Sequence, residues 1–281
     1  MLFRSPFYNG EMTANCILER VAETKSTNDD LLERWRSGQL IDPVARIAHK
    51  QTAGKGRAGR AWLSNPDDSI CFSIAYPFKR SPAQLAGLSL LVGVAVIEGI
   101  AKAFNMDQAL LLQSGLRLKW PNDLLLNNAK LGGILIEGGQ AKPNEPSWMI
   151  VGIGLNLRNA NLIEKNLHQN NTQVSALEDL LPQGSTLPDA EYLWLRLLDS
   201  LEQHFQNFDA QGFGPYQSAW SAWDAYVNQA VCLSGAGKDP LYGTAKGIGI
   251  DGALLLEHAG KMISIYAGDR SEEHTSELQS H

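Results

Sequence analysis

The segment GKGRAGR at 54–60 interleaves three glycines with Lys55, Arg57 and Arg60, and Lys50 stands just ahead of it. Glycines let backbone amides come close to a ligand, and cations between them suit a polyanion such as a phosphate chain. The same residues also make an ordinary solvated basic turn. With 26 glycines in 281 residues, a GxGxxG pattern arises by chance roughly 0.2 times per chain, so the spacing alone says little. A dinucleotide-binding turn must run straight into a helix, whereas here Trp62, Asn65 and Pro66 follow and then a β-prone run. A Walker loop is excluded because His49 occupies its first glycine position and Gly56 its Ser/Thr position. A second group lies in KWPNDLLLNNAKLGGILIE at 119–137. Lys119 ends one strand, Pro121 and Asn122 turn the chain, and Lys130 starts the next strand ahead of Gly132 and Gly133. Glycines inside a strand mark close approach of backbone or ligand, while an isolated lysine there is equally an edge charge. GIGLN at 152–156 adds another glycine-bearing strand end, with Asn156 either a ligand contact or a strand cap.

The elements that must position these groups follow from spacing. STNDDLLERWRS at 26–37 opens on cap residues and places Leu31, Leu32 and Trp35 on one helical face. VARIAHK after Pro43 and SICFSIAYPF at 69–78 read as strands, the second ending at Pro77. A buried helix is expected from Pro82 to Phe104. LRLKW at 116–120, DLLLNN at 123–128, KLGGILIEGG at 130–139 and WMIVGIGLNL at 148–157 form an antiparallel meander. Apolar residues from Tyr192 to Phe205 recur at helical spacing, predicting a helix over Asp189 to Phe208, and a shorter one is expected from Pro215 to Tyr226. The remainder alternates β-prone runs with glycine turns, including Asp251-Gly252 as a type I′ hairpin, and reads as a small β-barrel-like module.

Composition bounds the class. At 44% hydrophobic and 19% charged residues the chain has material for a real core. The net charge of -6 argues against a wholly basic nucleic-acid platform. Cys16, Cys71 and Cys232 are odd in number and widely spaced, which supports neither a disulfide framework nor a zinc site and fits a reducing cytoplasm. The apolar run at 85–104 contains Glu98 and Lys102 and reads as a buried helix rather than a membrane span. LFRS at 2–5 and RSEEHTSELQS at 270–280 resemble translations of a sequencing adapter and are set apart from the folded units. The expected division is 1–5 foreign, 6–226 catalytic, 227–269 a small domain open to truncation, and 270–281 foreign.

Taken in order, STN at 26–28, QTAGKGRAGRAW at 51–62, KWPNDLLL at 119–126, KLGGILIE at 130–137 and GIGLN at 152–156 resemble the catalytic domain of bacterial biotin protein ligases. GIDGALLLE at 249–257 is similar to that family's small SH3-like domain. The resemblance implies an α+β fold: a mixed, mainly antiparallel sheet packed with helices, class II synthetase-like, followed by an SH3-like β-barrel. It implies ATP, Mg²⁺ and biotin as ligands, with biotinyl-adenylate formed and then passed to a lysine of a biotin carboxyl carrier protein. Lys130 and Arg57 are then the catalytic residues. Ser26, Thr27, Asn28, Gln51, Gly54, Lys55, Gly56, Arg57, Lys130 and Gly133 line the biotin site, and Arg57, Arg60, Trp62, Lys119, Asn122, Lys130 and Asn156 the ATP site, with no metal ligands by side-chain motif. The family's loop usually has arginine where Lys55 stands, and lysine lacks the bidentate guanidinium fork. The resemblance further implies a cytoplasmic enzyme, a homodimer as one oligomeric form, and neither membrane nor nucleic acid as partner of this chain as given. Alternatives are a lipoate or octanoate ligase, a biotin-responsive repressor whose N-terminal domain was lost, and, from the bare glycine pattern, a nicotinamide oxidoreductase.

Overall fold

The computed structural model describes residues 15–162, 173–182, 184–234 and 239–272. The larger of two sheets has seven strands in the order β1-β2-β3-β7-β6-β5-β4. These are β1 Ile17–Thr24, β2 Val44–Gln51, β3 Ser69–Phe78, β4 Leu116–Lys119, β5 Asp123–Leu126, β6 Ala129–Gln140 and β7 Ser147–Asn156. β1 runs parallel to β2, because helix α1, Thr27–Arg36, carries the chain back between them. The other pairings are antiparallel, and the expected meander is the run from β4 to β7. Sequence reading overlooks β1, whose Glu19, Arg20 and Glu23 interrupt its apolar positions and whose partner is β2 alone.

Strand alternation gives this sheet two different faces. Ile70, Phe72 and Ile74 of β3 and Val151, Ile153 and Leu155 of β7 join the main core. That core also holds helices α2, Leu88–Phe104, and α4, Ala190–Gln211. The intervening residues, Ala75 and Ile150 among them, belong to the face on which α1 lays Leu31 and Leu32. Ser26 caps α1, its hydroxyl accepting from Asp29 N at 3.4 Å, and Asp29 and Asp30 sit favourably at the positive end of the helix dipole.

Two expectations are corrected and one element is added. The helix expected from Pro82 is a 3-10 turn, Pro82–Leu85, and then α2, broken at Gly87. Gly87 has a φ of 82°, and a Cβ there would overlap the Phe213 ring. The helix expected over Pro215 to Tyr226 shrinks to a 3-10 turn, Gly214–Tyr216, and α5, Gln217–Ser221. Leu118 takes the following backbone: its N donates to Trp223 O at 2.8 Å and its O accepts from Ala225 N at 2.9 Å. A short helix α3, Gln108–Gln113, capped by Asp107, was not foreseen.

The smaller sheet is antiparallel, ordered β11-β10-β9-β8-β12. Its strands are β8 Ala230–Ser234, β9 Leu241–Ile248, β10 Leu254–His258, β11 Lys261–Ile265 and β12 Asp269–Glu272. At Asp251-Gly252 only Gly252 has positive φ, 80°, so the type I′ expectation fails there, since that turn needs two such residues. Paired positive φ values occur at Ala259–Gly260 and Asn127–Asn128 instead. Backbone pairing with β8 continues to Glu272, so three residues read as foreign hold a place in the sheet. The segment 2–5 and the rest of the tail lie outside the described residues. Val231, Leu233, Ala245, Ile248, Leu254 and Leu256 join the same core cluster as the larger sheet, and Trp120 Nε1 donates to Gly252 O at 3.1 Å.

Glu202 of α4 is buried, and that burial pushes its carboxyl pKa up. The Asn15 backbone and the Cys16 thiol offset this in part, and the charge of Asp199 adds to it. A carboxyl raised on folding costs stability once pH climbs above its unfolded pKa. Glu202→Gln should therefore raise the urea midpoint at about pH 8 and leave it nearly unchanged at about pH 4. Equal effects at both would contradict this.

Candidate active site

On the α1 face of the sheet lies a cavity of about 470 Å³. Its floor is β3, β6 and β7, through Cys71, Ser73, Gly133, Leu135, Gly152 and Gly154. At two of these positions side chains would collide with what lies above. A Cβ on Gly152 would overlap the Asn28 carboxamide oxygen, and one on Gly154 would stand 2.5 Å from the Trp62 ring. Bare backbone therefore brings the first turn of α1 and the Trp62 indole directly onto the sheet.

One end of the cavity is a hydrogen-bonded row. Gln51 Oε1 accepts from Thr27 N at 2.8 Å and from Thr27 Oγ1 at 3.2 Å. Thr27 Oγ1 lies 2.7 Å from Ser73 Oγ, which donates to Asn28 Oδ1 at 2.6 Å. Asn28 Nδ2 donates to Glu137 Oε2 at 2.9 Å. Ser26, Thr27, Asn28 and Ser73 are all buried. Cys71 stands beside this row, where burial pushes its thiol pKa up.

The other end carries charge. Lys130 Nζ pairs with Asp123 at 2.9 Å and lies 5.8 Å from the Trp62 ring. Its backbone is clamped: Lys130 N donates to Gln173 O at 2.8 Å, and its carbonyl accepts from Ser175 N at 3.0 Å and Asn156 Nδ2 at 3.3 Å. Asn156 is 2% exposed, and its Oδ1 has no hydrogen-bond partner among the described residues. A buried acceptor left so costs about 1–3 kcal/mol unless a ligand or water satisfies it.

The glycine segment is a small hairpin over this charged end. Trp62 N donates to Gly54 O at 2.9 Å and Gly56 N to Arg60 O at 2.7 Å, with positive φ at Ala58 and Gly59 making its tip. Arg57 Nη1 donates to Asn122 Oδ1 at 3.2 Å, and Asn122 is itself held by Ile134 O. Lys55 pairs with Asp29 at 2.7 Å, so its charge is directed to the first turn of α1.

Of the residues singled out from sequence, Ser26, Thr27, Asn28, Gln51, Lys55, Gly56, Arg57, Arg60, Trp62, Asn122, Lys130, Gly133 and Asn156 border this one cavity. Two do not. Gly54 forms the base of the hairpin, and Lys119 sits on β4 with its ammonium 6.0 Å from the Tyr226 ring. Sequence reading overlooked Cys71 and Ser73, which occupy alternate positions of a strand apolar on both faces. It also overlooked Asp123 and Glu137, which act through Lys130 and Asn28.

A profile of the biotin/lipoate A/B protein ligase family matches residues 21–156. The chain is 34% identical over 256 residues to the biotin--[acetyl-CoA-carboxylase] ligase of Mycobacterium tuberculosis, covering 90% of this chain and 87% of that one. It is 33% identical over 235 residues to the bifunctional ligase/repressor BirA of Salmonella typhimurium, covering 84% of this chain and 68% of the relative. The chain belongs to the biotin/lipoate protein ligase family, on its biotin protein ligase branch. Its fold matches the biotin protein ligase of Aquifex aeolicus solved with biotin and ATP, with a TM-score of 0.71 at 24% identity, covering 90% of this chain and 97% of that one. The expected α+β architecture with a small C-terminal antiparallel sheet is thus the observed one.

Gly152→Ala should force Asn28 off β7, breaking its bonds to Ser73 and Glu137, at a cost of about 1–3 kcal/mol. Denaturant unfolding measures this, and a loss under about 0.5 kcal/mol would show that Asn28 is not held there.

Proposed function

We propose that this chain is an ATP-dependent biotin protein ligase that forms biotinyl-5′-AMP and transfers biotin to a lysine of the biotin carboxyl carrier protein of acetyl-CoA carboxylase. The observation that carries the reading is one cavity with a neutral polar row at one end and Lys130 beneath a cationic hairpin at the other. A ureido ring needs a few fixed donors and acceptors between apolar walls. Gln51, Thr27, Ser73 and Asn28 supply them, and the carboxylate tail then reaches toward Lys130.

In the first step a biotin carboxylate oxygen bonds to the α-phosphorus of ATP, and the bond to the β-phosphate breaks, releasing pyrophosphate. Two like charges at 4 Å repel by about 1 kcal/mol in water and about 4 kcal/mol at an effective dielectric near 20, so a partly dry site needs cations. Lys130 provides a compact one, and Asp123 and the clamped backbone hold it over the cavity. Arg57, buttressed by Asn122, and Arg60 provide others from the hairpin. The buried Asn156 oxygen, without a partner among the described residues, suits an N–H donor such as the exocyclic amine of adenine. In the second step the acceptor lysine Nζ bonds to the acyl carbon and AMP leaves with the phosphate oxygen. A hairpin above a mixed anhydride excludes the water that would hydrolyse it.

No group of three or more His, Cys, Asp or Glu among the described residues forms a metal cage. Mg²⁺ coordination needs only one or two carboxylates when phosphates supply the rest, so an ion arriving with ATP would need no such cage. No described helix is long and apolar enough to cross a membrane. Cys16, Cys71 and Cys232 form no disulfide among the described residues, which fits a reducing compartment such as the cytoplasm.

Pyrophosphate release by the purified chain with ATP should depend on biotin and not on lipoate. Release with lipoate alone would overturn the choice of acid. Lys130→Ala should cut the biotin-dependent rate by about 100-fold or more, in line with roughly 3 kcal/mol for a preorganised charge. Near-normal turnover would remove Lys130 from catalysis.

A further inference from the structure

Resting on that reading, we propose that Glu137 is a positioning residue that sets the hydrogen-bond polarity of the whole ureido-binding row, and so its selectivity for a ligand presenting N–H donors. Glu137 is not part of the cavity wall. It reaches the wall through Asn28, whose Nδ2 lies 2.9 Å from Glu137 Oε2 and 3.5 Å from the Leu135 carbonyl. A carboxylate and a backbone carbonyl only accept, so the Asn28 amide must present its NH₂ to them. Its oxygen then faces Ser73, whose single hydroxyl proton is committed to it at 2.6 Å. Thr27 Oγ1 has Ser73 Oγ at 2.7 Å and Gln51 Oε1 at 3.2 Å, acceptors on both sides once Ser73 has donated, so the Thr27 proton is committed as well.

The directions of the Asn28, Ser73 and Thr27 side-chain protons therefore follow from the acceptors at the row's outer end, of which the Glu137 carboxylate at 2.9 Å is far nearer than the Leu135 carbonyl at 3.5 Å. Asn28, Ser73 and Thr27 turn only lone pairs toward the cavity, which fits the two N–H groups of a ureido ring. Without the carboxylate, Asn28 can turn over and the hydroxyls can reverse, presenting donors to donors. Gly152 keeps the amide seated while it is held, because its bare Cα allows Asn28 to lie against β7.

The test is steady-state pyrophosphate release by the full chain, with hydroxylamine present to consume the adenylate and allow turnover, and with KM for biotin and ATP measured separately. Glu137→Leu should raise the biotin KM about 10-fold or more and leave the ATP KM within about twofold. Glu137→Gln retains an acceptor and should show a smaller biotin effect. Asn28→Asp sets two acceptors against each other and should lower kcat/KM for biotin by about 30-fold or more. The exchange N28D/E137Q restores one amide facing one acid and should recover kcat/KM for biotin at least about 10-fold over N28D. A role in packing alone predicts no such recovery. A wild-type biotin KM in Glu137→Leu, or no recovery in the exchange, would overturn the assignment while the ligase reading stands. Absence of biotin-dependent release in the wild type would overturn both.

Discussion

Two positions on one strand, Gly152 and Gly154, leave the stretch of β7 between Ile150 and Asn156 without side chains on the face that carries α1. Everything functional in the larger sheet follows from that bare strip. The first turn of α1 descends far enough for Asn28 to join Ser73 and Glu137, and the Trp62 indole lies flat enough for Lys130 to stand beside it. Around the strip the sheet is an ordinary apolar layer, filled on its far face by α2 and α4. Strand alternation thus separates a face devoted to stability from one devoted to ligands.

The electrostatic layout follows the same division. At the α1 end the row of Gln51, Thr27, Ser73 and Asn28 is neutral and mutually hydrogen-bonded, a setting that orients a ligand by direction. At the hairpin end Lys130, Arg57 and Arg60 gather positive charge, each restrained by a partner: Asp123 for Lys130, Asn122 for Arg57, and the Arg57 carbonyl for Arg60. Restrained cations need little reorganisation when negative charge develops, which is where preorganised sites gain most. Lys55, the hairpin cation that differs from the family's usual arginine, is paired with Asp29 and ties the hairpin to α1.

Much of this was legible in the chain. The Ser26 cap and the Leu31–Leu32 spacing marked α1, and the glycine-bearing runs at 132–133 and 152–154 marked strands approached closely from above. The elements that escaped share a cause: their fate depends on distant backbone. β1 is a strand because β2 lies beside it, and residues 223–225 leave the helix because Leu118 claims their hydrogen bonds. The site divides likewise. Lys130, Arg57 and Asn156 were singled out by the family resemblance of the motifs that carry them, since charge and spacing alone left each with an ordinary structural reading, whereas Ser73 and Cys71 sit in a run apolar on both faces, where sequence does not say which face opens on a cavity. Lys119 shows the converse, a motif residue that the β4–β5 turn carries toward Tyr226 rather than toward the cavity.

The central claim is that one cavity joins a carboxylic acid recognised through its ureido ring to the α-phosphate of a nucleotide. Mixing the full chain with biotin and ATP, quenching in acid and weighing the small molecules by mass spectrometry tests it directly. The account predicts biotinyl-AMP at close to one equivalent per chain, together with pyrophosphate. Unreacted biotin, or an adenylate formed equally well from lipoate or octanoate, would contradict it.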